Sequence, residues 1–279
     1  MKTPREKTEG LPIKKVALCI VATRKYKELI QSLIRSANKY FLTHHQVSFF
    51  IFADSPNPNA LLDTEIDNIH WSQIEHLPFP LPSLFRYKYI LSKQQELTNF
   101  DYIFYCDADM RFVGDVGDEL LSDGITAIQH PLTAPKDLKD FCHMTEHFKS
   151  YAFEKNTNSL AYIRPEEQNM YWCGGIQGGV SEKYLSVIEM LDSNIDKDLG
   201  QNIIATYYDE SHWNKYLSKN PPSVSLPFWY CFPESADWKN KQNVWKPETR
   251  IPDDEEIKIL CLDKDLHGGY SSYRGNSKI

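Results

Sequence analysis

The feature that most constrains the fold of this chain is an alternation of continuous apolar runs with helical patterns. The runs lie at residues 16–22, 47–53 and 101–106, and such runs are typical of strands that are covered on both faces. Apolar residues recur at helical spacing over residues 26–41, and a second helix is predicted over residues 83–97. Strands that alternate with helices form parallel sheets. The sequence therefore predicts an α/β fold with a mostly parallel twisted central sheet flanked by helices.

The expected domain organisation follows from the same pattern. Residues 1–14 are polar and contain two prolines, which predicts a disordered or extended N-terminal segment. We expect residues 15–279 to form a single domain, whose regular strand and helix pattern lies in residues 15–115. Residues 116–279 are less regular, apart from a fourth strand predicted at residues 125–129, and are expected to complete the same domain.

Composition excludes several classes of protein. The chain has 279 residues and a formal net charge of −7, which argues against a nucleic-acid partner because binding to phosphates requires clustered positive charge. No stretch approaches the roughly 20 apolar residues of a membrane span, and the polar N-terminus lacks a signal-peptide core. The six cysteines include no C-x-x-C pair, which favours reduced, buried thiols over a zinc site or a disulfide scaffold. We therefore expect a cytoplasmic protein.

An acidic pair follows the third apolar run directly. Asp107 and Asp109 flank Ala108, and residues two apart in an extended segment point to the same side. Two carboxylates that face one cavity can bind a divalent cation, which in turn neutralises a diphosphate. The alternative is a solvated strand end, where aspartate is common as a turn former. The buried strand before the pair favours the metal site.

Two further motifs lie in the second half of the chain. Residues 172–179 contain two glycine pairs. Paired glycines let a ligand approach the backbone, but the motif taken alone favours a pair of tight turns. Asp209 and Glu210 precede an aromatic-rich stretch, and adjacent carboxylates there are suited to binding a sugar hydroxyl and facing an anomeric carbon. The alternative for this pair, the first turn of a helix, is compatible with that role, because a helix start is a rigid support.

Taken together and in this order, these segments resemble glycosyltransferase family 6 over nearly the whole chain, from about Lys15 onward. The resemblance implies the GT-A fold of nucleotide-diphospho-sugar transferases. Residues 15–115 would be its nucleotide-binding half, and residues 116–279 its acceptor-binding half and C-terminal tail. It also implies a retaining hexosyltransferase that moves N-acetylgalactosamine or galactose from a UDP-sugar donor to a plain or fucosylated β-galactoside acceptor, in α-1,3 linkage. The implied cofactor is Mn²⁺ or another divalent cation.

The resemblance also carries over site residues one by one. Glu210 would be the catalytic carboxylate on the β face of the anomeric carbon, and Asp107 and Asp109 would bind the Mn²⁺ that carries the diphosphate. The donor would further contact Val21, Ala22, Thr23, Tyr26, Arg86, Ala108, Cys173, Gly174, Gly175, Asp209, Lys264 and Arg274. The acceptor would contact His130, Tyr208 and Trp229.

The resemblance also indicates which positions select the donor sugar and where this chain departs from the family pattern. Cys173 and Gly175 occupy the donor-selecting positions, and Gly175 leaves room for an N-acetyl group, which favours UDP-GalNAc. Tyr207 and Tyr208 replace the usual Trp-His pair, and Leu132 stands where the blood-group enzymes have a small residue.

Two other classes of protein remain open on the sequence. One is a carbohydrate-binding protein without turnover. The other is a phosphotransferase of the haloacid-dehalogenase type, in which Asp107 would be the nucleophile. That class expects Thr or Val where this chain has Arg111.

Overall fold

The structure is a computed structural model, and it describes residues 12–56, 68–131, 152–234, 253–269 and 273. Its strands are β1 Lys15–Ala22, β2 Gln46–Ala53, β3 Ile69–Gln73, β4 Tyr102–Cys106, β5 Met110–Phe112, β6 Ile125–Gln129, β7 Trp172–Val180, β8 Val224–Leu226, β9 Phe232–Pro233 and β10 Ile259–Cys261. Its α-helices are α1 Ile30–Tyr40, α2 Leu81–Leu84, α3 Arg86–Leu91, α4 Gln94–Leu97, α5 Ser181–Gly200 and α6 Tyr208–Lys219. Short 3-10 helices span Arg24–Leu29, Asp118–Leu120, Pro165–Glu167 and Phe228–Tyr230.

Seven strands form one sheet, in the order β3-β2-β1-β4-β7-β6-β8. The neighbours are parallel except around β7, which runs antiparallel to both β4 and β6. The other three strands form a small sheet in the order β5-β10-β9. The α/β fold predicted from the sequence, with a mostly parallel central sheet and helices around it, is confirmed.

Both faces of the large sheet are buried, which explains the continuous apolar runs. On β1, Leu18 and Ile20 belong to one core cluster, which also contains Leu33 of α1. Cys19, which points to the other face, belongs to a second cluster with residues of α3, α5 and α6, among them Ile188. Successive residues of a strand alternate between faces, so every residue of such a strand must be apolar.

The helices differ from the predicted ones in continuity. The helix predicted over residues 26–41 begins as a 3-10 helix and becomes α-helical only at Ile30. The helix predicted over residues 83–97 is divided into the short helices α2, α3 and α4. Phe85 and Lys93 separate these pieces, with backbone angles (φ −94°, ψ 7° and φ −110°, ψ 15°) that lie outside the helical range.

The glycine motif is a strand, so the tight-turn prediction is wrong. Its second glycine pair lies where β7 packs between β4 and β6. A Cβ atom on Gly178 would lie 2.4 Å from the Ile103 carbonyl oxygen, and one on Gly179, where φ is +150°, would lie 2.1 Å from the Gly124 carbonyl oxygen. Only glycine permits this approach of neighbouring backbones.

Two further expectations concern membranes and domain limits. Among the described residues, no helix combines the length and the apolar character needed to cross a bilayer.

The pairing of β4 with β7 extends the large sheet from the first predicted half into the second, across residue 115. The domain limits themselves stay a prediction, and residues 1–11 lie outside the described part of the chain.

Candidate active site

Two cavities meet at the two acidic motifs. The first has a volume of about 210 Å³ and is lined by the ends of β1 and β4 and the start of α6. The second has a volume of about 430 Å³ and is lined by the start of β7, the end of β10 and the segment after β6. The residues that line both cavities, called here the shared wall, are Asp107, Asp109, Gly175, Glu210 and Lys264. The motifs that were predicted separately thus lie together in the structure.

The first acidic pair is held by backbone hydrogen bonds at the carboxyl end of β4. The Asp107 N–H donates to the Gly175 carbonyl at 2.8 Å, and the Asp109 carbonyl accepts from the Leu262 N–H at 2.7 Å. The Asp107 side chain is 31% exposed, and its Oδ1 accepts a hydrogen bond of 2.5 Å from the Tyr105 hydroxyl. The two aspartates therefore have positions fixed by the sheet and side chains that face the cavities.

Asp109 forms a buried ion pair with Lys264 from the C-terminal tail. The Lys264 ammonium contacts Asp109 Oδ2, and only 5% of Asp109 and 8% of Lys264 are exposed. Burial raises the pKa of Asp109 above its ordinary value, although Lys264 opposes the shift. Burial alone would lower the pKa of Lys264, but the Asp109 carboxylate raises it well above its ordinary value. Lys264 therefore carries a positive charge beside the first acidic pair.

Arg86 connects the first acidic pair to the second. Its Nε lies 2.9 Å from Asp209 Oδ2, and its Nη2 lies 3.3 Å from Asp107 Oδ1. Its Nη1 also donates to the Gly174 carbonyl at 2.9 Å, and the guanidinium lies 4.3 Å above the centre of the Tyr105 ring. Burial disfavours the charged form of Arg86, but Asp209 raises its pKa well above the ordinary value. The buried guanidinium is thus fully charged.

The second acidic pair lies in the first turn of α6. Asp209 is buried, and burial raises its pKa to about 7 although Arg86 opposes the shift. Glu210 is half-buried and is held by two uncharged donors: Oε1 accepts from the Tyr171 hydroxyl at 2.8 Å, and Oε2 accepts from the Gly174 N–H at 2.6 Å. Burial raises the pKa of Glu210, and these two hydrogen bonds oppose that shift. The helix start predicted as the alternative is therefore present together with the cavity.

Buried polar side chains hold the start of α6 in place. The Glu154 carboxylate accepts hydrogen bonds of 2.6 Å from the Thr206 N–H and 3.1 Å from the Thr206 hydroxyl. The Ser211 hydroxyl accepts from the Tyr207 N–H at 2.9 Å. Tyr208, between them, has a φ of +55°, a left-handed conformation that costs an aromatic residue roughly 1–2 kcal/mol. The surrounding contacts must offset that strain to keep Asp209 and Glu210 in position.

A second buried cluster lies at the side of α6. The Asp198 carboxylate accepts from the Ser159 hydroxyl at 2.6 Å and from the Leu160 N–H at 2.9 Å. His212 Nε2 lies 3.5 Å from Asp198 Oδ2, and burial lowers the pKa of His212 to about 4. His212 is therefore neutral near pH 7. The cluster links α5, α6 and the loop at residues 159–160.

Most of the predicted site residues line one of the two cavities. The first cavity contains Val21, Thr23, Tyr26, Arg86, Ala108, Gly174, Tyr208 and Asp209. The second contains His130 and Cys173. Tyr208, predicted for the acceptor, thus lies with the donor candidates. Ala22 is fully buried in the core, and the partly buried Trp229 packs against the same core cluster. Neither residue lines the first or the second cavity. Arg274 and Leu132 lie outside the described residues.

Sequence reasoning missed several residues of the site, and three of them have contacts that matter for its geometry. Tyr171 donates to Glu210, Tyr273 packs against Tyr26 with ring centroids 4.9 Å apart, and Met110 lines the second cavity. Tyr171 directly precedes the glycine motif, and Met110 directly follows the acidic pair. Proximity to those motifs is the one signal that the sequence offers.

The space beside Gly175 differs from the prediction. A Cβ atom at this position would lie 2.4 Å from the Met110 Cε atom and 3.1 Å from Asp107 Oδ2. The room that glycine leaves on this wall is therefore partly filled by the Met110 methyl group.

Comparison with known sequences identifies the family. The sequence profile described as Glycosyltransferase family 6 matches residues 12–250, which is most of the chain. The chain belongs to glycosyltransferase family 6. The resemblance predicted from the motifs is confirmed, and the mostly parallel sheet of this family 6 protein agrees with the predicted GT-A fold.

Several curated relatives match this family 6 protein over most of its length. Histo-blood group ABO system transferase 1 of Rattus norvegicus is 26% identical over 215 residues, which cover 76% of this chain and 59% of the rat protein. Globoside alpha-1,3-N-acetylgalactosaminyltransferase 1 of Homo sapiens is 26% identical over 263 residues, 90% of this chain and 67% of the human protein. O-antigen biosynthesis glycosyltransferase WbnI of Escherichia coli is 21% identical over 255 residues, 91% of this chain and 97% of the bacterial protein. The chain thus spans roughly three fifths of the rat relative but nearly all of WbnI.

Proposed function

We propose that this protein is a retaining hexosyltransferase that transfers N-acetylgalactosamine or galactose from a UDP-sugar to a β-galactoside-type acceptor, plain or fucosylated, in α-1,3 linkage. The names of the relatives support the reaction class, since they include alpha-1,3-N-acetylgalactosaminyltransferases and an O-antigen glycosyltransferase. The proposal extends to a UDP-sugar donor, an oligosaccharide acceptor and a divalent cation.

The observation that carries the proposal is the shared wall. A transferase must bring two substrates to one reactive group, and Glu210 lines both cavities together with Asp107 and Asp109. A protein that only binds a glycan has no need of two cavities that meet at three carboxyl groups, two of which follow a strand of the central sheet. We assign the donor to the first cavity, with Tyr26 and Arg86, and the acceptor to the second, with His130.

The first acidic pair fits a hard divalent cation such as Mn²⁺. Asp107 and Asp109 offer carboxylate oxygens, the ligands that such ions prefer, and both side chains line the same two cavities. The described residues contain no cluster of three or more His, Cys, Asp or Glu side chains suited to a metal ion, so diphosphate oxygens would complete the coordination. A cation held there would neutralise the charge that develops on the departing UDP.

The protein's own charges would assist the same leaving group. Arg86 and Lys264 each contact one aspartate of the first pair, so two positive groups flank the position assigned to the diphosphate. Lys264 belongs to the C-terminal tail, as does Tyr273, which packs on Tyr26 at the edge of the donor cavity. The contact of Lys264 with Asp109 and that of Tyr273 with Tyr26 would exclude water from the donor and so limit its hydrolysis.

Glu210 would act on the anomeric carbon, and the same geometry serves two routes. In the first, a Glu210 oxygen bonds to the anomeric carbon as the bond to UDP breaks, and the acceptor oxygen then displaces Glu210. In the second, the acceptor oxygen attacks from the side that UDP leaves, and the ionised Glu210 stabilises the positive charge of the sugar. In both routes the acceptor hydroxyl loses its proton as the new glycosidic bond forms, and a phosphate oxygen of the departing UDP would take it up. The hydrogen bonds from Tyr171 and Gly174 hold Glu210 in one orientation for either step.

The test is a panel of UDP-sugars with plain and fucosylated β-galactosides, with Mn²⁺ or with excess EDTA, in which NMR reads the linkage of the product. We expect an α-1,3-linked product with Mn²⁺ and none with EDTA. Full activity in EDTA would contradict the metal assignment alone. Oligosaccharide binding without consumption of any UDP-sugar would favour a binding protein, and trapping of a phosphorylated Asp107 would favour the phosphotransferase class.

A further inference from the structure

Arg24 has a strained backbone at the edge of the first cavity. It begins the 3-10 helix that follows β1, and it lines this cavity together with Thr23 and Tyr26. Its φ of +52° lies in the left-handed region, which is unfavourable for an arginine because the Cβ atom crowds the backbone. Side chains on such strained residues are common at binding sites, where the surrounding structure maintains the strain.

The carboxylate of Asp54, which directly follows β2, maintains this conformation. The Arg24 N–H donates to both of its oxygens, at 3.2 Å to Oδ1 and 3.1 Å to Oδ2. The Asp54 side chain is buried, Lys27 Nζ lies 2.8 Å from its Oδ1, and His76 Nδ1 contacts its Oδ2. Burial alone would raise the pKa of Asp54, but the hydrogen bonds from Lys27 and His76 lower it below the ordinary value. Asp54 lines neither of the two cavities, so it fixes the Arg24 backbone without occupying the space of a ligand.

The Arg24 side chain has a hydrogen-bond donor that no group in the described part of the chain uses. Its Nε atom is buried and has no partner there. A guanidinium group has donors and no acceptor, so only an oxygen or another acceptor can satisfy it. Buried polar atoms without a partner are rare in folded proteins. A ligand oxygen in the first cavity would supply the missing acceptor.

The strand order indicates which part of the donor lies beside Arg24. In the large sheet, β4 lies between β1 and β7. The end of β4 precedes the acidic pair assigned to the diphosphate. The start of β7 contains Gly174, whose N–H donates to Glu210, the residue assigned to the anomeric carbon. A UDP-sugar carries its diphosphate between the uridine and the sugar, so the uridine would lie at the end of β1, next to Arg24.

We propose that Arg24 is a further donor-binding residue, whose guanidinium donates to an oxygen atom of the uridine moiety. This inference rests on the proposed function. Uridine offers the carbonyl oxygens of uracil and the hydroxyl groups of ribose, and all of them can accept from an arginine. The strained backbone of Arg24 then serves ligand binding and not the stability of the fold. A variant that relieves the strain should therefore lose affinity for UDP without losing stability.

The experiment is Arg24→Gly, with calorimetric titration of UDP in the presence of Mn²⁺ and urea denaturation of the ligand-free protein. Glycine adopts a positive φ without strain, so the urea midpoint should stay the same or rise. The Kd for UDP should rise by about 10-fold or more, as expected for the loss of a hydrogen bond to a charged group. A Kd equal to that of the wild type would overturn the inference while the function stands. A lower urea midpoint would also overturn it, because Arg24 would then support the fold.

Pyrophosphate with Mn²⁺ is the matched ligand, since it lacks the uridine moiety. Its Kd should be nearly the same for the wild type and for Arg24→Gly. An equal loss of affinity for UDP and for pyrophosphate would place Arg24 at the diphosphate and overturn the assignment to uridine. Arg164→Met, which changes an exposed arginine that lines neither cavity, should bind UDP as the wild type does. A wild-type protein that binds no UDP would overturn the inference and the proposed function together.

Discussion

The two acidic pairs of the site are supported in different ways. Asp107 and Asp109 follow a buried strand, their positions are fixed by backbone hydrogen bonds, and each contacts a cationic side chain. Asp209 and Glu210 begin a helix whose start is held by buried polar side chains, and the partners of the Glu210 carboxylate are uncharged.

This difference separates two electrostatic tasks. The cationic side chains beside the first pair add positive charge at the position assigned to the diphosphate, which suits the binding of that anion. A carboxylate held by a hydroxyl group and an N–H keeps its negative charge directed at the substrate, which suits an electron-deficient anomeric carbon. The helical pair depends on side chains brought together from distant parts of the chain, so it should be the more easily disturbed of the two.

The largest effect is expected from Glu210→Gln, which should lower kcat by roughly 10⁴-fold while UDP affinity stays nearly intact. Glutamine fits the site, because its amide oxygen can accept from Gly174 and its amide nitrogen can donate to the Tyr171 hydroxyl oxygen. The charge is therefore all that changes. Steady-state kinetics and calorimetry with UDP measure the two quantities. Glu182→Gln, an exposed acid in the first turn of α5, is the matched control. Normal turnover in Glu210→Gln would remove Glu210 from the mechanism.

Arg86→Met should lower the free energy of unfolding by about 3–5 kcal/mol, because it leaves the buried Asp209 carboxylate without its cation. Urea denaturation measures the loss. Adding Asp209→Asn to this variant should recover part of the stability, since the unpaired charge is then gone. If the double variant is as unstable as the sum of the single ones, Arg86 does not act through Asp209.

The pH dependence of stability tests the support of the helical pair. The pKa of His212 falls to about 4 in the folded state from an ordinary value of 6.5, so the unfolded chain binds the proton more readily. The contribution of His212 to the free energy of unfolding is complete above pH 6.5. It decreases as the pH drops toward 4, by about 3 kcal/mol in total. Urea denaturation at pH 7 and pH 4.5 should reveal this loss in the wild type and a smaller one in His212→Gln. Equal losses of stability in the wild type and in His212→Gln would contradict a role of His212 in this pH dependence.

The smallest effect is expected from Glu154→Gln, which removes one acceptor oxygen of a buried carboxylate that binds Thr206 and Asn156. The cost should be about 1–2 kcal/mol of unfolding free energy, with a several-fold loss of kcat as the start of α6 loosens. Thermal denaturation and kinetics measure the two effects. Glu166→Gln, an exposed acid in the same part of the chain, should change neither quantity. A full retention of kcat in Glu154→Gln would show that the helix start is fixed without this residue.

Sequence predicted the elements that are buried on both faces, because there burial itself dictates the pattern. The strands β1, β2, β4 and β6 are such elements. It did not predict β3, which is only partly buried and has no continuous apolar run. It also did not predict β7, and favoured tight turns for the glycine motif, because glycine has little intrinsic preference for strands and β7 forms through close backbone contacts with its neighbours.

Within the site, sequence predicted the residues whose chemistry is unusual for their local position. The two acidic pairs are of this kind, and Arg86 was found only through the family resemblance. Tyr171 and Met110 were not found, because a tyrosine or a methionine next to a motif is ordinary core material. Their roles arise from contacts with Glu210 and Gly175, 39 and roughly 65 positions away along the chain.

The reversed direction of β7 has a consequence for how such a protein can diversify. Its neighbours bring their last residues to the reactive edge of the sheet, whereas β7 brings its first. The chain segment that leads into β7 can therefore change in length or sequence and reshape the sugar pocket, while the crossovers that build the nucleotide side stay as they are. Because one strand runs in the opposite direction, the part of the site that selects the sugar can vary while the nucleotide-binding part is kept.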